Sequence, residues 1–170
     1  LLMNNTAQSQ QGSFLIEALV GILVFSLGVL AMVSLGTTAI SAQSDAQYRT
    51  EAASLANEIA SELSLRANRI PQATAADTIA ALNASLLPFE HNLGGATCLF
   101  NANPSAQALV SGATTGWVDR VTAALPGVSA RGLQIDTTTL AAFSGIRVTV
   151  CWQGPTDKAV RSHTLVTYIN

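Results

Sequence analysis

Two periodicities divide the chain. From Ser13 the residues read SFLIEALVGILVFSLGVLAMVSL, an apolar run broken by Glu17, and no charged residue falls between Ala18 and Ser44. That uncharged stretch of about 27 residues exceeds the roughly 20 a helix needs to cross the hydrocarbon core of a bilayer. It is also too long for the apolar core of a cleaved secretory signal, so it predicts a membrane helix. Beyond it, Tyr48, Ala52, Leu55, Ile59 and Leu63 recur every three or four residues, the period of a helix with a narrow apolar stripe. Glu62 and Arg66 stand one turn apart on its polar side and can pair. Pro71 excludes further helix and biases Ile70 toward extended backbone. A continuous element from Ser13 to Ile70 would be roughly 85–90 Å long, one half in lipid and the other on a globular domain.

After Pro71 the elements shorten. Asp77 is placed to cap a short helix with the apolar face Ile79, Leu82 and Leu86, ended by Pro88. HNLGGATC reads as a loop leading to Cys98, and Asn103-Pro104 as an N-cap with proline at the first helical position. Thr115 is placed to cap a further turn or two through Trp117, Val118, Val121 and Leu125, stopped by Pro126-Gly127. The last forty residues change to period two. GLQID is one strand. In IRVTVCW, Ile146, Val148, Val150 and Trp152 alternate with Arg147, Thr149 and Cys151. QGPTDK turns the chain into VRSHTLVTYIN, whose two faces are less cleanly split. A small antiparallel sheet laid on the long helix buries both apolar surfaces, which predicts an α+β domain in two layers.

Composition narrows the chemistry. The 170 residues carry a net charge of −2 and only 11% charged side chains, so no basic face is available to neutralise phosphate and no nucleic-acid partner is expected. Aromatics at 5% leave no platform for stacked bases. GxSxG, Walker and GxGxxG motifs are absent from the sequence, and no residue set for catalysis or a cofactor stands out. His91 beside Glu90 provides too few ligands for a metal, and His163 reads as a surface or edge residue of a strand. Arg131, Arg147 and Arg161 are placed to line one side of the sheet, ordinarily only a solvated face. Cys98 and Cys151 have no CxxC or Cys/His neighbours. Outside the cytoplasm such a pair forms a disulfide closing a long loop, worth roughly 3–4 kcal/mol; the alternative is two buried thiols.

Glu17 is the informative residue. An acid at the centre of a membrane helix costs roughly 2.5–3.5 kcal/mol on insertion scales, and one that is tolerated there has a partner. No Lys, Arg or His lies within the apolar span from Ser13 to Ser44. The α-amino group released by a cut after Gly12 would serve, either within the subunit or from a neighbouring staggered helix. In the second case the pairing sets an axial offset, because any other register leaves a charge unpaired in an apolar bundle. A lone Glu near a helix end is equally explained by an interfacial position or by protonation. Gly12, the five-residue spacing, the long apolar run and the amphipathic continuation together favour pairing. Gly21, Gly28 and Gly36 recur along the same half and can permit close helix approach, although membrane helices are rich in Gly in any case.

The segment QQGSFLIEALVGILVFSLGVLAMVSL resembles the processed N-terminal region of type IV prepilins and type II secretion pseudopilins. The likeness covers about the first thirty-five residues. It implies a type IV pilin fold and the organisation 1–12 leader peptide, 13–41 transmembrane and assembly half of the long helix, 42–170 exported domain. Matched position by position, Gly12 and Ser13 flank the prepilin peptidase cut, Ser13 becomes the N-methylated terminus, and Glu17 is the register-setting acid. WVDRVTAALPG and RVTVCW add a weaker likeness to the minor pilins of the family. The resemblance implies a non-enzymatic subunit without cofactors, processed by prepilin peptidase. Its partners would be other minor and major pilins. It would sit in the bacterial inner membrane with a periplasmic domain before joining the pilus, where it helps prime assembly near the tip. A type II secretion pseudopilin would share the N-terminal motif. A single-span anchored periplasmic binding module would need the helix only as a tether.

Overall fold

The first helix, α1, runs Gln11–Arg66 and ends in a way the proline rule does not anticipate. A computed structural model describes residues 11–137 and 144–169, with the backbone alone at 11–13. It divides into two units, Leu1–Gln43 and Ser44–Asn170. The last helical bond of α1 is Ala67 N–H to Leu63 O at 3.1 Å. Thereafter Asn68 N–H donates to Ser85 Oγ at 2.9 Å, and the Asn68 side-chain oxygen accepts from Ile70 N–H at 3.0 Å. A local Asx turn and a tertiary hydrogen bond thus stop α1 before Ile70, ahead of Pro71. Among the described residues the helix already includes Gln11 and Gly12, ahead of Ser13.

In the second unit the stripe along α1 packs as its spacing predicts. Ala52, Leu55, Ile59 and Leu63 are buried and Tyr48 is half-buried against the same core. Ala56, Ala60 and Ala67 are buried as well, so the contact is broader than the large residues alone indicate. Glu62 and Arg66 stand 4.0 Å apart. Helix α2, Ala75–Leu86, buries Leu82 and Leu86 while Ile79 faces solvent. Its cap is Thr74, whose hydroxyl oxygen accepts from Asp77 N–H at 3.1 Å and donates to the Asp77 carboxylate at 2.7 Å. Asp77, three residues into the helix, thus receives the hydroxyl proton of the cap residue while its own N–H is capped. Pro88 does not end the helical course. It sits in a single 3-10 turn, Leu87–Phe89, where its missing N–H is harmless.

Residues 90–107 form the segment least legible in sequence. The HNLGGATC loop contains strand β1, Gly95–Ala96, which pairs with β2, Leu99–Phe100, around a Thr97-Cys98 turn. No helix follows Pro104; Asn103 instead accepts from Asn92 N–H through its carbonyl at 2.9 Å, and the next helix, α3, is Ala108–Ser111. Helix α4, Trp117–Ala124, is preceded by Gly116 as its cap residue, not Thr115. Asp119 accepts from Thr114 N–H, and the Thr115 carbonyl is taken by Arg120 at 2.7 Å. Gly127, at φ +63, makes the turn out of α4; a Cβ there would lie 2.6 Å from Gln153 O.

The sheet has the order β3-β4-β5, with β3 Leu133–Asp136, β4 Gly145–Trp152 and β5 Arg161–Tyr168, antiparallel throughout. Ile146, Val148, Val150 and Trp152 join α1, α2 and α4 in one core, with Trp117 fully buried and its indole N–H donating to Leu55 O at 2.9 Å. The other face of β4 is covered too: Thr149 and Cys151 are buried and Arg147 half-buried. The cover is the 91–100 segment, fixed to Cys151 by a disulfide from Cys98 with its Cα atoms 5.6 Å apart. The fold is α+β, a long N-terminal apolar helix with a small antiparallel sheet.

Candidate functional site

In the first unit, the large side chains from Phe14 to Ile40 are exposed, Phe14 at 75% and Leu35 at 72%. The apolar window of α1 has a mean hydropathy of 2.6 with no part buried, so by length and composition this helix can cross a membrane. Several of its hydroxyls are satisfied inside the helix: Ser26 donates to Ile22 O at 2.7 Å, and Thr37 and Thr38 to Ser34 O at 2.8 and 3.1 Å. That arrangement suits a surface with no water to supply partners.

Glu17 is exposed on this helix, and among residues 14–44 it is the one charged side chain. At about 100° per residue, Gly21 and Gly28 fall within about 40° of it, and Val24, Ala31 and Leu35 share that face. Gly36 lies about 100° away. A Cβ at Gly21, Gly28 or Gly36 would meet nothing within 4 Å, so no packing inside the described chain calls for glycine there. The Gly12–Ser13 bond lies in the first turn of α1, and residues 1–10 of the expected leader fall outside the described residues.

The remaining sequence candidates scatter. Arg131 donates from Nε to Phe100 O at 2.6 Å, Arg147 pairs with Asp136 at 3.5 Å, and Arg161 chelates Asp157 at 2.9 and 3.0 Å. Arg147 sits opposite Val166 and Arg161 opposite Trp152, which puts the two arginines on opposite faces of the sheet instead of along one side. Arg161 also pairs with Asp45 of α1 at 3.2 Å, and Asp45 holds Arg49 at 3.1 Å. The hydrogen bond from Arg161 holds the Asp157 carboxyl below the usual carboxylate range, and Asp157 in turn raises Arg161. The sequence signal for this cluster was the four-residue spacing of Asp157 and Arg161 across the β4–β5 turn; the Asp45 partner had none. His163 is half-buried on the edge strand.

Among the described residues no group of three or more His, Cys, Asp or Glu is placed to hold a metal. A cavity of about 410 Å³ on the outer sheet face is lined by Gly94, Gln134, Asp136, Arg147, Thr149 and Thr164, among others. Its lining has hydroxyls and an ion pair but no His, Cys, Ser or Lys.

His91 has a structural position. Its main chain exchanges two 3.0 Å bonds with Ile135, continuing the sheet, while Nδ1 accepts from Ser105 N–H at 3.1 Å. Burial pushes the imidazole below its ordinary value of about 6.5. A base whose pKa is depressed on folding is protonated first in the unfolded chain, so stability is full above about pH 6.5. It falls as the pH drops below that value, until the folded ring titrates as well. Urea midpoints are expected to decline between pH 7.5 and pH 5. In His91→Asn, whose amide oxygen can still accept from Ser105, that part of the decline should vanish. An unchanged decline in the variant would assign it elsewhere.

Compared with family models, curated protein sequences and solved structures, the chain finds no match in any of the three.

Proposed function

We propose that this chain is a minor type IV pilin, a structural subunit most like the PilV-type members of that group. The observation that carries the reading is the lone carboxylate of Glu17, five residues after Gly12 at the head of an apolar, exposed helix face. Cutting after Gly12 would leave the Ser13 ammonium near the end of the same helix. In a bundle of parallel, staggered copies that ammonium meets the Glu17 of a neighbour, and both charges are neutralised at one axial offset alone. The carboxylate then acts as a ruler. Gly21 and Gly28, on its face, let the neighbouring backbone come close enough for the pair to form. The residues from Ser44 onward fold around their own core, with the disulfide suited to an oxidising compartment outside the cytoplasm. The proposed role is to join other low-abundance pilins in a complex that primes assembly near the tip.

Intact mass of the chain extracted from membranes of its native host tests the reading. The expected mass lacks everything up to Gly12, with or without one added methyl group on the new terminus. Retention of the leader would reject a prepilin and leave the single-span anchored module. Recovery of the mature chain in sheared surface fibres would separate a pilus subunit from a type II secretion pseudopilin.

A further inference from the structure

We infer that the outer rim of β5 docks an extended strand from another polypeptide, one that turns small, uncharged side chains toward α1. The inference concerns the second unit and does not depend on the pilin proposal. Ile169 N–H donates to Ser144 O at 2.8 Å, in step with the β4–β5 register. Odd-numbered residues of β5 therefore turn their main-chain groups toward β4 and even-numbered ones turn theirs away. The bond from Cys151 N–H to Gly132 O at 3.0 Å gives the matching assignment across β3–β4, with odd residues of β4 facing β3. Ser162, Thr164 and Val166 thus present their N–H and C=O groups at the rim.

The opposite rim of the same sheet is closed. Ile135 exchanges both main-chain bonds with His91, and Leu133 O accepts from the Asn92 side chain at 2.9 Å. Proteins that keep an edge from pairing use Lys, Pro, a bulge or a very short strand. β5 has none of these: it runs eight residues in unbroken register with β4 and contains neither Lys nor Pro. Its one permanent cation, Arg161, stands at the end and is held by Asp157.

Beside this rim lies a groove of about 420 Å³, walled by Ala60, Ser61, Ser64 and Leu65 of α1 and by Leu165 and Thr167 of β5. No charged residue lines it, so a charged side chain entering it would be desolvated without a partner. The alanine and serine walls leave room for small side chains. An added strand would supply main-chain bonds to Ser162, Thr164 and Val166 and place every second side chain in the groove, the two elements of strand-addition recognition.

The test places a photo-crosslinking benzoylphenylalanine at Ser162, Thr164 or Val166 of the full chain in its native cells and maps the products by mass spectrometry. The expected result is one partner polypeptide, distinct from this chain, with the attachment point moving two residues at each step of the label. Scattered attachment, attachment to a second copy, or no attachment would overturn the inference. Val166→Pro removes an outward N–H and leaves the bonds to β4 in place, and Thr164→Lys guards the rim without a backbone change. Each is expected to lower the crosslink yield from Ser162 by about tenfold. Undiminished yield from either variant, folded as judged by its circular dichroism, would also overturn it.

Discussion

A Glu17→Ala chain is expected to reach the membrane at least as well as the natural one and to lose most of its incorporation into fibres. Removing the carboxylate takes an unfavourable group out of the span, so insertion does not suffer. In the proposed bundle the same change strands the Ser13 ammonium of a neighbour in an apolar setting. Breaking a buried pair from one side costs about 3–5 kcal/mol, enough for a loss of at least about 100-fold in the population held at the correct offset. Glu17→Gln, which keeps the shape and drops the charge, should behave like Glu17→Ala. The measurement is the ratio of chain in sheared fibres to chain in membranes, in a strain with no other copy. Wild-type ratios for both variants would remove the charge pair from the account.

Trp117→Ala is expected to destabilise the second unit by about 3–5 kcal/mol, the usual cost of emptying a fully buried aromatic site. Trp117 has no exposed surface and touches the core shared by α1, α4 and the sheet. Its N–H bond to Leu55 O, which anchors α4 to α1, is worth a further 0.5–1.5 kcal/mol or so. Trp117→Phe keeps most of the apolar volume and should lose clearly less than the alanine variant. Trp152 remains as a fluorescent reporter of urea unfolding in both variants. An alanine variant within about 1 kcal/mol of wild type would mean that α4 is peripheral to the cooperative unit.

Where a single periodicity governs, the sequence is readable. The stripe from Tyr48 to Leu63 and the alternation of β4 arise from repeated placement of apolar side chains on the face turned to the main core, and each repeats often enough to be read without neighbours. The ends of elements are decided by particular hydrogen bonds. Thr74 rather than Asp77 caps α2 because both can accept a backbone N–H, and the entry of the chain decides between them. Arg66 rather than Ile70 ends α1 because Ser85, seventeen residues beyond Asn68, captures an amide that would otherwise continue the helix. The cover on the second face of β4 was hidden for a similar reason. The 91–100 segment is short, glycine-rich and irregular, and only Cys98 gave a sign of where it goes. Glu17 was legible because a charge in an apolar run is conspicuous in one dimension. The open rim of β5 was not, since which edge of a sheet is closed depends on His91 and Asn92, which lie some seventy residues away along the chain.

The Cys98–Cys151 bond turns fifty-odd residues of loop, helix and strand into a covalent ring. A single peptide cut anywhere from Leu99 to Val150 opens that ring without releasing a fragment. A domain that meets extracellular proteases can therefore be nicked inside the ring and gain only the one water of hydrolysis, its two pieces travelling together until a reductant separates them.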